Sequence, residues 1–300
     1  MQRKMLLFVN PISGTRSKKA FLPAIENQIS QAGIPYELLY TNAGGEYSYL
    51  RDKIESESIT DIIIIGGDGT IGKIARFIVD VDVNVGIIPM GSGNGLALAA
   101  KIPTDPLKAI DIVLNGKGRY IDAFFVNQTF ACMLAGLGFD AQVAHDFARE
   151  SSRGLKTYLR QTIYQFFVAD PYSFELVHDG HSFRSDAYFI SIANSNQFGN
   201  RVTIAPKASL SDGKLDIVLV KKMSKIKLLW AVGRQLWKGT PDEWNDPLAK
   251  EKDIVYFQTD KLILYNTANA PLHIDGDPAP TAKKINIQIV PQAFRLIQPL

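Results

Sequence analysis

The sequence predicts an α/β-plus-β fold. An N-terminal α/β part covers residues 1–122, and an antiparallel, β-sandwich-like part covers 123–290. Two observations carry this. Up to about residue 120, β-branched runs alternate with helix-patterned stretches in units of roughly 25–30 residues, the mark of a parallel sheet covered by helices. From Gly118 onward the apolar residues come mostly in short alternating runs, as antiparallel strands with one wet face do.

The elements follow in order. Residues 4–10 (KMLLFVN) form a strand, and a polar Gly/Ser loop leads to a helix over 19–32, with Gly33 suited to its C-cap. Strand 35–40, helix 45–56, strand 62–65, helix 70–79 and strand 83–88 come next. Pro89 and the glycine cluster 91–95 end that last strand, and short helices fit 96–100 and 106–115. In the second part, strands are expected at 119–127, 129–138, 172–180, 182–194, 214–222, 253–266, 272–277, 284–290 and 293–300. His178-Asp179-Gly180-His181 reads as a hairpin turn. Two helices, 139–169 and 226–238, interrupt the strands.

Composition narrows the function. Thirty-three basic against 30 acidic residues leave a net charge of +3, too mild for a nucleic-acid binder but compatible with an anionic substrate or membrane surface. The single cysteine, Cys132, rules out an intrachain disulfide and a cysteine-rich zinc site, and points to the cytosol. The apolar run LLFV near the N-terminus is too short for a signal peptide, and no stretch of about 18 apolar residues is present to span a membrane. Any lipid must be reached from the water side.

Three glycine loops carry the chemistry: Asn10-Pro11-Ile12-Ser13-Gly14, Gly66-Gly67-Asp68-Gly69-Thr70 and Gly91-Ser92-Gly93-Asn94-Gly95. Each follows a strand, so all three are expected on one rim of the parallel sheet, where such sheets bind ligands. One such loop could be a tight turn and nothing more. Three together offer N–H donors, hydroxyls and a carboxylate, a fit lining for a nucleotide's phosphates and its magnesium. Neither the Walker pattern nor the dinucleotide fingerprint is present.

In this order and spacing NPISG, GGDGT and PMGSGNGLA resemble the diacylglycerol kinase catalytic domain, a superfamily of bacterial lipid kinases, sphingosine kinases and ceramide kinases. The resemblance spans nearly the whole chain. It implies a nucleotide domain related to NAD kinases and phosphofructokinases, a β-rich lipid domain, and a last strand, about 291–300, that returns to the first domain. It implies that ATP and Mg²⁺ phosphorylate a lipid hydroxyl at a membrane surface. Asn10, Pro11, Ser13, Gly14, Thr41, Gly66, Gly67, Asp68, Gly69, Thr70, Ser92, Gly93 and Asn94 would then bind ATP, with Asp68 organising its magnesium. Asp122 and Asp275 would belong to the catalytic network, and Asp277 would stand where the family has a catalytic glutamate. Asp275-Gly276-Asp277 could also be an ordinary acidic turn, with Asp275 as a fallback base. Asp212, with the carbonyls of Ser209 and Lys214, matches a segment that holds a structural Mg²⁺ in some members, or is a plain hairpin.

The sequence departs from the bacterial pattern at Gly95, where an acidic residue is usual, and this hints at a sphingoid base or another single-chain lipid. Residues 221–238 set Trp230 and Trp237 in an apolar stripe at helical spacing and add six basic residues, which suits peripheral contact with the inner membrane face or packing on the β-domain. An NAD kinase-like enzyme and a non-catalytic nucleotide- or lipid-binding regulator are the other readings. The sequence does not specify an oligomeric state. The four histidines are expected at the surface or in turns, and Cys132 in the core.

Overall fold

Met5–Val9 (MLLFV) forms β1, and every residue in it is buried. A strand buried on both faces needs cover on both, which parallel sheets obtain from helices. The computed structural model describes residues 2–14, 18–42, 44–149, 169–197, 205–223 and 253–300. In it β1 lies between β2 (Tyr36–Tyr40) and β3 (Asp61–Gly66), and β4 (Asn84–Pro89) lies beyond β3, all four parallel. Helices α1 (Lys18–Gln31), α2 (Leu50–Ser56), α3 (Asp68–Ala75), α4 (Gly95–Ala99) and α5 (Pro106–Asn115) connect and flank them. The start of α5 shows how local chemistry sets an end: Asp105 Oδ1 accepts from Leu107 N at 2.9 Å and Lys108 N at 3.1 Å, with Pro106 first in the helix.

The second part comprises β5 (Lys117–Val126), β6 (Thr129–Ala131), β7 (Leu134–Gly138), α6 (Phe139–Arg149), β8 (Tyr172–His178), β9 (His181–Ala193), β10 (Leu215–Lys221), β11 (Ile254–Thr259), β12 (Lys261–Tyr265), β13 (Leu272–Ile274), β14 (Asp277–Ala279) and β15 (Lys284–Gln298). The strands join one hydrogen-bonded sheet with a main path β14-β13-β7-β9-β8-β12-β15-β4-β3-β1-β2, from which β10–β11 and β5–β6 branch. The long strand β15 is the seam. It pairs antiparallel with β12 and β5, and parallel with β4 through Arg295–Asn84 and Leu296–Val85. Two apolar clusters flank this seam, one around Phe8 and Ile63, the other around Phe124, Phe174 and Leu264.

Several expected elements end elsewhere, each for a local reason. The helix expected over 45–56 begins only at Leu50, because Asn42 Oδ1 accepts from Gly45 N at 2.6 Å and Glu46 N at 3.3 Å. Those N–H groups are held in a side-chain turn rather than offered to a helix. The run 129–138 breaks into β6 and β7, since the N–H groups of residues 132–134 bond a distant carboxylate described below. The expected strands 284–290 and 293–300 are one strand. Its register shifts between Val290 and Phe294, around Pro291, which has no N–H to give. The expected domain limits at 122 and 290 both fall inside strands, β5 and β15. Of the expected helix 139–169, residues 139–149 are helical and 150–168 lie outside the described residues, as does the helix 226–238.

The β15 bulge rests on Asp122, which is 1% exposed. Its Oδ1 accepts from Gln292 N at 2.8 Å and its Oδ2 from Gly213 N at 2.7 Å. One buried carboxylate thereby ties the seam strand to the turn before β10. Asp122→Ala strands both N–H groups, so equilibrium denaturation should show a loss of about 2–4 kcal/mol. A loss below about 0.5 kcal/mol would mean the clamp is dispensable.

Candidate active site

Register builds the site before any side chain does. Val9 lies opposite Tyr40 and Ile65, and Gly66 opposite Pro89. The strands therefore end level with one another, and the loops after β4, β3 and β1, with Thr41 after β2, emerge side by side at their carboxyl ends. The three glycine loops interlock there. A Cβ on Gly67 would stand 2.8 Å from the Gly91 Cα, so these two backbones touch in a way no other residue permits. Gly14, at φ +61°, would put a Cβ 2.1 Å from the Met90 carbonyl oxygen. Asn10 Nδ2 donates to Thr70 Oγ1 at 2.7 Å, joining the first loop to the second. Asn94 closes the third loop on itself: its Oδ1 accepts from Gly91 N at 2.8 Å and its Nδ2 donates to Gly91 O at 2.9 Å.

Asp68 opens α3 and points at the next helix. Its two oxygens accept from Gly95 N at 2.9 Å and Leu96 N at 3.2 Å, the first N–H groups of α4. Burial pushes its carboxyl up to about 6, against those hydrogen bonds, and the nearby Asp275 charge adds to the rise. Pro11 and Ser92 are exposed on the rim, while Ser13, Gly14, Thr41, Gly69, Gly93 and Asn94 are half-buried and Gly66, Gly67 and Thr70 are buried.

The β13–β14 hairpin, far away in sequence, folds over the start of α3. A Cβ on Gly69 would be 3.0 Å from Asp277 Oδ2, and one on Gly72 would be 3.4 Å from Asp275 Oδ2. The two hairpin aspartates differ sharply. Asp275 accepts from Cys132 N at 3.0 Å, Met133 N at 2.9 Å and Leu134 N at 3.0 Å, and burial outweighs these donors and raises its pKa. Asp277 is exposed, with its carboxylate over the glycine loop.

Asp212 lies elsewhere, exposed on the turn before β10, where its Oδ1 accepts from Lys214 N at 3.1 Å and Ser209 Oγ lies 3.4 Å from Ser211 N. Among the described residues no three carboxylate, imidazole or thiol side chains close on one point as a metal cage. The rim's carboxylates, with backbone N–H groups for phosphates, suit a magnesium ion carried in on a nucleotide, which takes one or two protein carboxylates and completes its shell from phosphates and water. The expectation that every histidine lies at the surface or in a turn is corrected. His273, in β13, is fully buried, 3.3 Å from Asp140, and His145 bonds Leu272 O at 2.8 Å. No signal in the sequence could have found the Cys132–Leu134 donors, because backbone N–H groups have no residue type. Of segment 221–238, only 221–223 are among the described residues.

Two family models match this chain: the diacylglycerol kinase catalytic domain over residues 4–126, and the YegS C-terminal NAD kinase beta sandwich-like domain over residues 134–298. A diacylglycerol kinase of Bacillus subtilis (strain 168) is 28% identical over 286 residues, covering 92% of this chain and 90% of that protein. One of Staphylococcus carnosus (strain TM300) is 24% identical over 285 residues, covering 92% and 89%. The crystal structure of a diacylglycerol kinase from Bacillus anthracis str. Sterne superposes with a TM-score of 0.74 at 18% identity, covering 99% of this chain and 97% of that one. That last likeness is one of fold.

Asp68 makes the site sensitive to pH. Its folded value of about 6 lies above the ordinary 3.8, so between these values the folded chain holds a proton that the unfolded chain releases. Stability from this group is full below the lower value and is lost as pH rises through the upper one. Without nucleotide, the melting temperature of the wild type relative to Asp68→Asn should therefore fall from about pH 4 to pH 6.5. A constant difference across that range would show that Asp68 does not titrate there.

Proposed function

Because the chain belongs to the diacylglycerol kinase catalytic-domain family and is a lipid kinase, we propose that it transfers the γ-phosphoryl group of ATP to a lipid hydroxyl through Asp277. The observation that carries this reading is the approach of the exposed Asp277 carboxylate to Gly69 in the GGDGT loop. The nucleotide would lie on the rim of residues 1–122, with the returning segment 291–300 behind it, and the lipid would be held by 123–290. Asn10, Pro11, Ser13, Gly14, Thr41, Gly66, Gly67, Gly69, Thr70, Ser92, Gly93 and Asn94 would line the phosphate path. Phosphoryl transfer asks a protein mainly for position and charge neutralisation, and interlocked glycine loops meet the first demand.

In the proposed step Asp277 accepts the hydroxyl proton as the lipid oxygen bonds the γ-phosphorus. The bond from that phosphorus to the bridging oxygen breaks, and ADP leaves. Asp68, held by Gly95 N and Leu96 N, would help hold a magnesium ion with its remaining lone pairs, and that ion would neutralise phosphate charge. Asp275 fixes the hairpin, and Asp122 supports the seam behind it. The basic, tryptophan-bearing sequence 221–238 supports contact with an anionic membrane face, and no helix among the described residues is long and apolar enough to cross a membrane. Gly95, small where bacterial members usually carry an acid, leaves a single-chain lipid in contention beside diacylglycerol.

Labelled ATP and magnesium, offered with diacylglycerol, monoacylglycerol, sphingoid bases, ceramide and phosphatidylglycerol, should yield one labelled lipid phosphate. Asp277→Ala should lower that rate by about 100- to 10,000-fold while ATP still binds. Asp68→Ala should abolish turnover and weaken ATP binding as well. Full activity in either variant removes that residue from the mechanism, and appreciable NADP formation from ATP and NAD would overturn the lipid reading.

A further inference from the structure

The hairpin that carries Asp275 and Asp277 is too short to place itself. Its strands have three residues each, and β14 ends the main path of the sheet with β13 as its neighbour. A two-stranded ribbon of that length has little stability of its own. Its position must come from what grips it. Beyond the Asp275 carboxylate and the pairing of β13 with β7, that is α6.

The grip from α6 is an ionisable pair shut away from water. His273 Nε2 lies 3.3 Å from Asp140 Oδ2, with His273 0% and Asp140 6% exposed. The other Asp140 oxygen accepts from Ala141 N at 2.8 Å. Five residues along the same helix, His145 Nε2 meets Leu272 O at 2.8 Å, beside His273 in the chain. The pair lies across Gly136, the residue opposite His273 in β7. A Cβ there would stand 2.0 Å from Asp140 Oδ2 and 2.5 Å from His273 Nε2, so glycine is what admits the pair. Desolvating an imidazole and a carboxylate is costly, and such pairs seldom add stability over apolar residues of like volume. What a buried polar pair can add is a defined geometry, and His273 lies in β13, four residues before Asp277 in β14, on the hairpin that aims it.

We propose that His273 is a positioning residue: through Asp140 it fixes how far the Asp277 carboxylate stands from the Gly69 loop. This rests on Asp277 acting as the base. The consequence is kinetic, since an error of about 1 Å in a reacting group can cost about 100-fold in rate.

The test compares wild type, His273→Leu and His273→Gln, whose amide can still donate toward Asp140. His273→Leu should lower kcat by about 10- to 100-fold with the KM for ATP within about twofold, and His273→Gln should recover at least about fivefold of that loss. Wild-type kcat in His273→Leu, or no recovery in His273→Gln, overturns the proposal. If His273→Leu does not fold, Asp140→Asn carries the same kcat comparison, because it keeps the shape and removes the charge. If the wild type phosphorylates no lipid, the role given to Asp277 fails on its own account. Positioning is then decided by exchange of the Asp275 N–H, bonded to Leu134 O at 2.8 Å: faster exchange in the variant upholds it, and equal exchange overturns it.

Discussion

One carboxylate, that of Asp275, accepts from three consecutive backbone N–H groups, and the two ends of the site meet through it. A strand running through 132–134 would give those N–H groups to a neighbouring strand. The aspartate takes them instead, so β6 and β7 separate and the hairpin docks in the gap. Burial and donors act in opposite senses on the carboxyl, and burial wins. A group so placed is dear to ionise and dearer to leave unbonded, which makes the docked arrangement an all-or-none choice. Cys132, whose Sγ lies 3.6 Å from the same oxygen, is therefore packed against the network rather than merely filling core.

The same device recurs at two other points. Asp68 reaches from the start of α3 to the first N–H groups of α4, and Asp122 from β5 to Gly213 and Gln292. In each case an acidic side chain satisfies N–H groups at a turn, a bulge or a helix start, places where the backbone cannot satisfy itself. Bonds of this kind are directional, and leaving such N–H groups unbonded away from water is costly. They let a sheet with few helices hold its loops in register without metal cages or disulfides among the described residues.

What the sequence disclosed follows from what has a residue type. The Ile62–Ile65 run, the glycine loops and the Pro106 start of α5 are chemical signatures, and the structure has a strand, rim loops and a helix start there. The 3.6 and 2 periodicities separated the two parts of the chain, and the resemblance implied that 291–300 returns to the first, but nothing in KINIQIV or AFRLIQPL says that it does so as one strand running on from 284–290. Backbone donors leave no trace either, so the break at 132–134 was hidden, whereas the late start of α2 has its sign in Asn42, a side-chain turn former. His273 was hidden for another reason. A lone histidine in an alternating strand reads as surface, and only the tertiary position of Gly136 and Asp140 makes it core.

The aspartate at 277 raises the question of reach, since its side chain is ~1.3–1.5 Å shorter than a glutamate's. The geometry answers it with backbone rather than side chain. Asp277 Oδ2 already stands where any Cβ at position 69 would meet it at 3.0 Å, so the hairpin has come in over a residue that has none. A glutamate on the same backbone would project beyond the Gly69 turn, and the hairpin would have to sit farther out to keep its carboxylate in the same place. A short acid reaches the Gly69 loop only while the hairpin stays docked, so its reach depends on the backbone. Its anchors are three backbone donors on Asp275, a glycine under a buried His–Asp pair, and a second histidine on a neighbouring carbonyl.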